Sequence, residues 1–433
     1  MRPRRVLYLL VFLLVAAIGG FVWWSQFPLI DRIEVPDPAS FERNLVDAGA
    51  KLAAIGNCRS CHTDRNGPEF AGGRAIATPY GKIYSTNISP APGTGLGHWS
   101  EAAFARAMRQ GIARNGAHLY PAFPYDHFTR LTDNDLRALY AFLMTRPPVE
   151  NFVPANELPF PLNQRWGLAF WNALFLDRRP VMPDPSQSPE WNRGAYLVAG
   201  LGHCGDCHTP RNLLGAEERS RALSGGEAEG WPAPSLGPDS PAPVPWNAEH
   251  LFAYLRHGSD TEHGAPAGPM QSVTDAMSHA DEVDVRAIAT YVANLQPATT
   301  TNDKAPQRQA TAASQSAAPG PGEELGATIV AGACAGCHAP GQPMVAPHGL
   351  NLALSSALHQ SDPRDAILIV LGGLHPSAEH SGPMMPAFSG TLTDAQVAAA
   401  LQYLRRHSGQ GPAWADLEDR VRDVHHAMTG SGS

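Results

Sequence analysis

The pattern Cys-x-x-Cys-His occurs three times in this chain, as Cys58-Arg59-Ser60-Cys61-His62, Cys204-Gly205-Asp206-Cys207-His208 and Cys334-Ala335-Gly336-Cys337-His338. Two thiols a helical turn apart can each add to one vinyl group of a haem while the next imidazole reaches the iron, so each copy reads as a covalent haem c attachment site. A single copy would be equally credible as a thioredoxin-like redox pair or half of a zinc site. Three copies, each with the histidine in place and none of the six cysteines left over, set those readings aside. Cys58, Cys61, Cys204, Cys207, Cys334 and Cys337 thus attach three haems, and His62, His208 and His338 are the proximal iron ligands. With no cysteine to spare for a disulfide, three haems and their surrounding cores must hold the domains together.

A chain of 433 residues has room for about three domains, in step with the motif count. Charged residues make up 17%, with 41 glycines and 40 prolines, which excludes a coiled coil or a disordered acidic chain. The formal charge of −8 argues against nucleic acid as a partner. After Arg2, Arg4 and Arg5 comes an uncharged apolar run from Val6 to Trp24 without a persuasive cleavage site. That run predicts an N-terminal transmembrane helix, and residues 1–30 read as a membrane anchor or uncleaved signal. The basic start places the N-terminus in the cytoplasm and the bulk of the chain on the periplasmic side of the bacterial inner membrane.

The segments that follow the motifs repeat. Trp99 and Trp246 each open an amphipathic stretch that ends twelve residues later, at Gly111 and Gly258; Ile367 to Gly373 takes the matching place in the third copy. A last helix follows each time behind polar starters, Thr132-Asp133-Asn134-Asp135, Asp281-Glu282-Val283-Asp284 and Thr391-Leu392-Thr393-Asp394, residue types that satisfy free N–H groups at a helix start. The unit is helix, haem motif, loop, helix, distal loop, helix, the small cytochrome c architecture. The expected fold is all-α, with three tandem cytochrome c domains after the N-terminal transmembrane helix. Domain 1 covers 38–150, a proline-rich and aromatic linker 151–188, domain 2 189–296, a flexible linker 297–322, domain 3 323–410 and a C-terminal tail 411–433. The aromatic stretch Trp166 to Phe175 is too apolar for a free tether and reads as a brace packed between domains 1 and 2, with docking on a partner subunit as the other reading.

Twelve residues beyond each helix-ending glycine lies the position that should face the iron: Phe123, Met270 and Met385. Met270 and Met385 are the expected distal ligands of haems two and three, with Met384 the rival at the third site. A thioether opposite imidazole raises the haem potential relative to two imidazoles. Phenylalanine cannot ligate iron, so the first site needs another group or stays open. His127 is the leading candidate there, with His118 and an open iron as alternatives; Met108 and Met144 fall on predicted helices, where core packing is the expected role. Ligation by His127 would give haem one the lowest potential of the three.

The three motifs in this order, with Gly116-Ala117-His118-Leu119-Tyr120-Pro121-Ala122, Arg193-Gly194-Ala195-Tyr196-Leu197, Ala267-Gly268-Pro269-Met270 and Met385-Pro386-Ala387-Phe388, resemble the triheme cytochrome c subunit of membrane-bound bacterial periplasmic dehydrogenases over roughly residues 40–410. That resemblance implies a separate catalytic dehydrogenase subunit of quinoprotein alcohol, flavoprotein sugar-acid or molybdenum aldehyde type, the last accompanied by iron–sulfur centres. It also implies that electrons pass on to ubiquinone or a terminal oxidase at the inner membrane. Phe123 departs from the methionine of the alcohol-dehydrogenase branch, and Pro124-Tyr125-Asp126-His127-Phe128 resembles the branch that works with molybdenum dehydrogenases of aldehydes or N-heterocycles. The N-terminal anchor departs from the cleaved signal common in the family.

No dinucleotide fingerprint, propeller repeat or nucleophile constellation is present, so the leading reading is a non-catalytic electron-transfer subunit of an oxidoreductase complex. Its rivals are a haem enzyme in its own right, with an open first iron, and a membrane-tethered scaffold with vestigial haems.

Overall fold

The computed structural model describes residues 3–296, 319–339, 351–375, 384–408 and 411–430, so residues 297–318 of the expected tether lie outside it. The chain forms two compact units, Met1–Met182 with Ala199–His203, and Pro183–Val198 with Cys204–Ser433.

Helix α1 covers Pro3–Trp24, the stretch expected to span a membrane. Among the described residues, however, no helix is long and apolar enough to cross one, and the expectation of a transmembrane helix is corrected. A span needs about 20 consecutive apolar residues. Here the helix begins beside Arg4, carries the Gly19-Gly20 pair, and its end is engaged by protein. The Phe21 ring lies 6.0 Å from that of Trp166, and the carbonyl of the buried Ser25 accepts from His118 Nε2 at 3.0 Å.

The first domain contains α2 (Arg43–Ile55), α3 (Cys58–His62), α4 (Glu101–Gln110), α5 (Tyr125–Phe128) and α6 (Asp133–Met144). The linker adds α7 (Leu168–Phe175), and the second domain has α8 (Pro189–Ala199), α9 (Gly205–His208), α10 (Ala248–His257), α11 (Pro269–Met277) and α12 (Glu282–Ala293). The all-α expectation is also corrected, since helix accounts for 47% of the chain and each of these two domains inserts a small antiparallel hairpin. Strands β1 (Ala75–Thr78) and β2 (Gly81–Tyr84) pair in the first, β3 (Gly226–Ala228) and β4 (Trp231–Ala233) in the second. The second turn is Glu229-Gly230, both with positive φ (51° and 83°), a twist that matches two-residue hairpins. Strands this short give no alternation for a sequence pattern to display.

In each domain the first helix crosses the last at a glycine. A Cβ on Gly49 of α2 would stand 2.0 Å from the Ala138 carbonyl oxygen and 2.7 Å from Phe142 Cβ on α6. Gly194 of α8 repeats this against Ala287 O (2.0 Å) and Tyr291 Cβ (2.7 Å) on α12. The third domain has α13 (Glu324–Ile329), which continues through a π-helical turn at Val330–Cys334, then α14 (Ala335–His338), α15 (Ser356–His359), α16 (Arg364–Gly372) and α17 (Asp394–Ser408). There Gly326 meets Ala399 O at 2.3 Å and Tyr403 Cβ at 2.8 Å. Residues of the 411–433 segment form α18 (Leu417–Gly430), which buries Leu417 and Val421, together with Trp414, among Ile367, Leu371 and Leu401.

The polar starters serve as caps. Thr132 and Asp281 accept from the backbone N–H of Asp135 and Val283, while Thr393 and Gln396 exchange side-chain and backbone bonds in a capping box. Left-handed Gly111 (φ 64°) and Gly258 (φ 70°) close α4 and α10, where a side chain would be strained. Two residues before each, Arg109 donates to the Leu131 carbonyl and Arg256 to those of Met277 and Ala280, tying this helix to the approach of the last one. In the linker, Trp171 of α7 is buried with its ring 6.1 Å from Tyr125, whose hydroxyl donates to Asn172 at 2.7 Å. Phe170 and Leu174 of the same helix are exposed. Within the second unit, Arg364 of α16 pairs with Glu227 of β3 at 2.7 Å, and Gln271 Nε2, beside Met270, donates to the His375 carbonyl at 2.5 Å.

Substituting Gly194→Ala should therefore destabilise the second domain by about 1–3 kcal/mol through overpacking. A domain of this size loses roughly 4–8 °C of melting temperature per kcal/mol. Thermal denaturation of the haem-loaded chain checks this, and an unchanged midpoint would mean that the helices are not in close contact.

Candidate haem sites

In the first two domains the attachment helix is reached through one left-handed residue, Asn57 (φ 48°) before Cys58 and His203 (φ 36°) before Cys204. The third motif is entered without such a break, α13 running through its π-helical turn into α14. None of the six cysteines is in a disulfide. Burial pushes the Cys58 and Cys204 thiols up to about 12 and raises that of Cys334.

The proximal histidines are oriented by the backbone. His62 Nδ1 lies 2.7 Å from the Thr86 carbonyl oxygen and His208 Nδ1 lies 2.7 Å from that of Pro234. A carbonyl can only accept, so Nδ1 carries the proton and Nε2 keeps its lone pair, the tautomer that a metal ligand requires. Burial lowers the basicity of both rings, against the opposing pull of the carbonyl, which favours the neutral imidazole. The peptide of each histidine is held as well: Gly72 N–H donates to the His62 carbonyl and Gly225 N–H to that of His208, both at 2.8 Å. Gly72 has φ 71°, and a Cβ there would stand 2.5 Å from the Thr86 carbonyl carbon, so only glycine lets the acceptor strand approach. The hairpins thus return the chain so that Thr86 and Pro234 face the histidines.

The distal candidates are placed differently in each domain. Met270 is the second residue of α11, directly after Pro269 and Gly268. Gly268 has φ 55°, and a Cβ on it would stand 2.4 Å from the Trp231 ring, so the hairpin that leads to Pro234 also seats the Met270 loop. Met385 is pinned by two backbone bonds of 2.9 Å with Leu374, the residue after Gly373. Met384 beside it is 72% exposed. In the first domain Phe123 sits among aromatic rings, 6.4 Å from Tyr125 and 5.4 Å from Phe128. His127 is buried on α5 with Nδ1 3.0 Å from the Ala199 carbonyl and its ring edge-to-face with His203. His118 pairs with Ile112, the residue after Gly111, as Met385 pairs with the residue after Gly373. Its Nε2 faces the Ser25 carbonyl, and its Nδ1 is buried without a hydrogen-bond partner among the described residues. Met108 and Met144 are buried on α4 and α6.

Two cysteines outside any disulfide, followed by a neutral imidazole that keeps its Nε2 lone pair, fit covalent haem c at the first two motifs. At the third, Cys334 caps the short helix α14 that carries Cys337 and His338, and the loop at 340–350 lies outside the described residues. The acceptors Thr86 and Pro234 act through backbone oxygen and have no signature in side-chain chemistry. Two arginines were also not singled out from sequence: Arg74 donates to the Ser60 carbonyl at 2.7 Å and Arg211 to that of Asp206 at 2.9 Å, each bracing a motif helix.

Residues 46–147 and 323–408 match the family model described as cytochrome c. The chain is 43% identical over 400 residues to a nicotinate dehydrogenase subunit of Pseudomonas putida, an alignment that covers 91% of this chain and 33% of that protein. It thus spans about a third of the length of that relative. Identity to the fructose dehydrogenase cytochrome subunit of Gluconobacter japonicus is 35% over 413 residues, covering 90% of this chain and 84% of the relative. To the gluconate 2-dehydrogenase cytochrome c subunit of Pantoea cypripedii it is 36% over 387 residues, covering 85% and 86%.

The pinned backbone of Met385 and the outward side chain of Met384 separate the two methionines. In the haem-loaded chain, Met385→Ala should remove the methionine-to-iron charge-transfer absorption of one haem and lower one midpoint potential, while Met384→Ala leaves both unchanged. Loss of the band in the Met384 variant instead would reverse the assignment.

Proposed function

This chain belongs to the cytochrome c subunits of dehydrogenase complexes, and from that premise we propose that it carries three covalent haems and relays electrons from a separate catalytic subunit to ubiquinone or a terminal oxidase. The observation that carries the reading is the repeated proximal clamp, a neutral histidine held through Nδ1 on a backbone carbonyl at both His62 and His208. Residues 189–296 lie outside the two stretches matched to the family model. What supports a haem there is the clamp at His208 together with the Gly194 helix crossing.

Each bound haem supplies reversible one-electron chemistry. The chain's own residues set its conditions. His62, His208 and His338 provide imidazole, and Met270 and Met385 provide thioether sulfur, a donor that favours the reduced state. The first site lacks that sulfur at Phe123, leaving His118, His127 or an open position, and it is the site of lowest potential if an imidazole binds. The Glu227–Arg364 pair and the bond from Gln271 to His375 join the second and third domains beside Met270, which supports transfer between those two centres.

The partner favoured is a molybdenum and iron–sulfur dehydrogenase acting on an aldehyde or an N-heterocycle. Nicotinate is an N-heterocycle, and the relative named for it shares 43% identity with this chain. The Pro124-Tyr125-Asp126-His127-Phe128 string supports the same branch, with quinoprotein alcohol and flavoprotein sugar-acid dehydrogenases as the other types. Because c-type haem is attached outside the cytoplasm, the working location proposed is the periplasmic face of the bacterial cell membrane. Phe123 favours one other reading, a haem enzyme with an open first iron.

Co-expression with the dehydrogenase subunits encoded beside it, in a host that attaches haem c, tests the proposal. The expected result is three haems per chain by the pyridine haemochrome method, reduced by substrate only when the catalytic subunit is present. Substrate or peroxide turnover by the isolated chain, with cyanide binding at one haem, would contradict it.

A further inference from the structure

The segment between α10 and Met270 holds a group of side chains that the haem sites do not use. Asp260, its side chain 5% exposed, lies with Oδ2 2.8 Å from His250 Nδ1 and with Oδ1 2.7 Å from Nδ1 of His263, which is 2% exposed. The ligand atoms of His250, Asp260 and His263 all fall within 4.8 Å of one another. On their far sides, His263 Nε2 is 3.0 Å from the Val244 carbonyl oxygen and His250 Nε2 is 3.5 Å from Glu262 Oε2. Trp246 lies flat on His263, with ring centroids 3.5 Å apart and an interplanar angle of 17°, and fixes the plane of that ring.

Every nitrogen of the two rings therefore faces an acceptor. A neutral His263 gives its one proton to the Val244 carbonyl, which can only accept, and then points the Nδ1 lone pair at a carboxylate. His250 is placed similarly, with Nδ1 on Asp260 at 2.8 Å and Nε2 3.5 Å from Glu262 Oε2. Asp260 is an anion fixed in place, since Oδ1 also accepts from the backbone N–H of Glu262 at 2.9 Å and of His263 at 3.1 Å. One nitrogen of each ring and a carboxylate thus converge on one point, an arrangement that a cation satisfies. An imidazolium at the buried His263 would carry a desolvation cost. One cation between the three groups satisfies them with both rings neutral. Holding the outer ring N–H on a carbonyl or carboxylate is the support that metal-bound histidines ordinarily have, and this chain uses the same device, with the nitrogens exchanged, at His62 and His208.

We propose that His250, Asp260 and His263 form a divalent transition-metal site, for which zinc is the best-matched ion. Two imidazoles and one carboxylate suit zinc and leave one tetrahedral position open; calcium and magnesium require all-oxygen shells. The site is independent of the electron-transfer reading. It ties the start of α10 to the segment that leads to Met270.

The test uses the full haem-loaded chain, purified without a histidine tag, equilibrated with zinc and dialysed, with zinc and iron measured by plasma mass spectrometry. The expected result is one zinc per chain in the unaltered protein, none in His250→Ala or His263→Ala, and an unchanged haem iron content that shows the variants folded. Glu262→Gln, which keeps the three ligands, should weaken zinc binding roughly 10–100-fold. Asp260→Asn, close to isosteric, gives a second ligand variant that must also lose the metal. An unaltered chain that retains no zinc, or ligand variants that retain as much as it does, would overturn the site.

Discussion

The hydrogen bond from Nδ1 of a motif histidine to a backbone carbonyl is the constraint around which the first two domains are organised. It decides the tautomer, and so leaves Nε2 with the lone pair that a metal ligand needs. The bond requires a carbonyl to be brought back to the motif, and the two hairpins do this, ending near Thr86 and Pro234. Close approach of that returning chain in turn requires Gly72 in the first domain. In the second, Trp231 of the same hairpin rests on Gly268 and so positions the loop of Met270. The His208 clamp and the Met270 loop are thereby set by a single short element.

Much of this was legible in the sequence, and the boundary has physical causes. The attachment motifs, the helix-ending Gly111 and Gly258, and the polar starters at Thr132, Asp281 and Thr393 each act through local chemistry, which spacing displays. The crossings at Gly49, Gly194 and Gly326 were not visible, because each depends on a partner 70 or more residues away. The hairpins were missed because strands of three or four residues leave no alternation to read. Thr86 and Pro234 contribute only backbone oxygen, and any residue carries that. The N-terminal run misled in the other direction: apolar composition suggested a membrane span, whereas Phe21 and Ser25 are engaged by Trp166 and His118.

The repeats share a frame but differ at the distal side, where function is tuned. Met270 begins a helix, Met385 is fixed in a backbone bridge, and the first domain has Phe123 at the register position with His118 at the bridge position. Register counted along the sequence and register counted by backbone pairing therefore point to different residues in the first domain. With an imidazole in place of thioether sulfur, the first site of the proposed relay would have the lowest affinity for an electron, and a graded series would give the relay its direction.

A spectroelectrochemical titration of the haem-loaded chain examines this account most directly. It predicts three one-electron components of equal amplitude, two at high potential and one well below them. A titration that resolves only one or two haems' worth of amplitude, or three components at one shared potential, would contradict it.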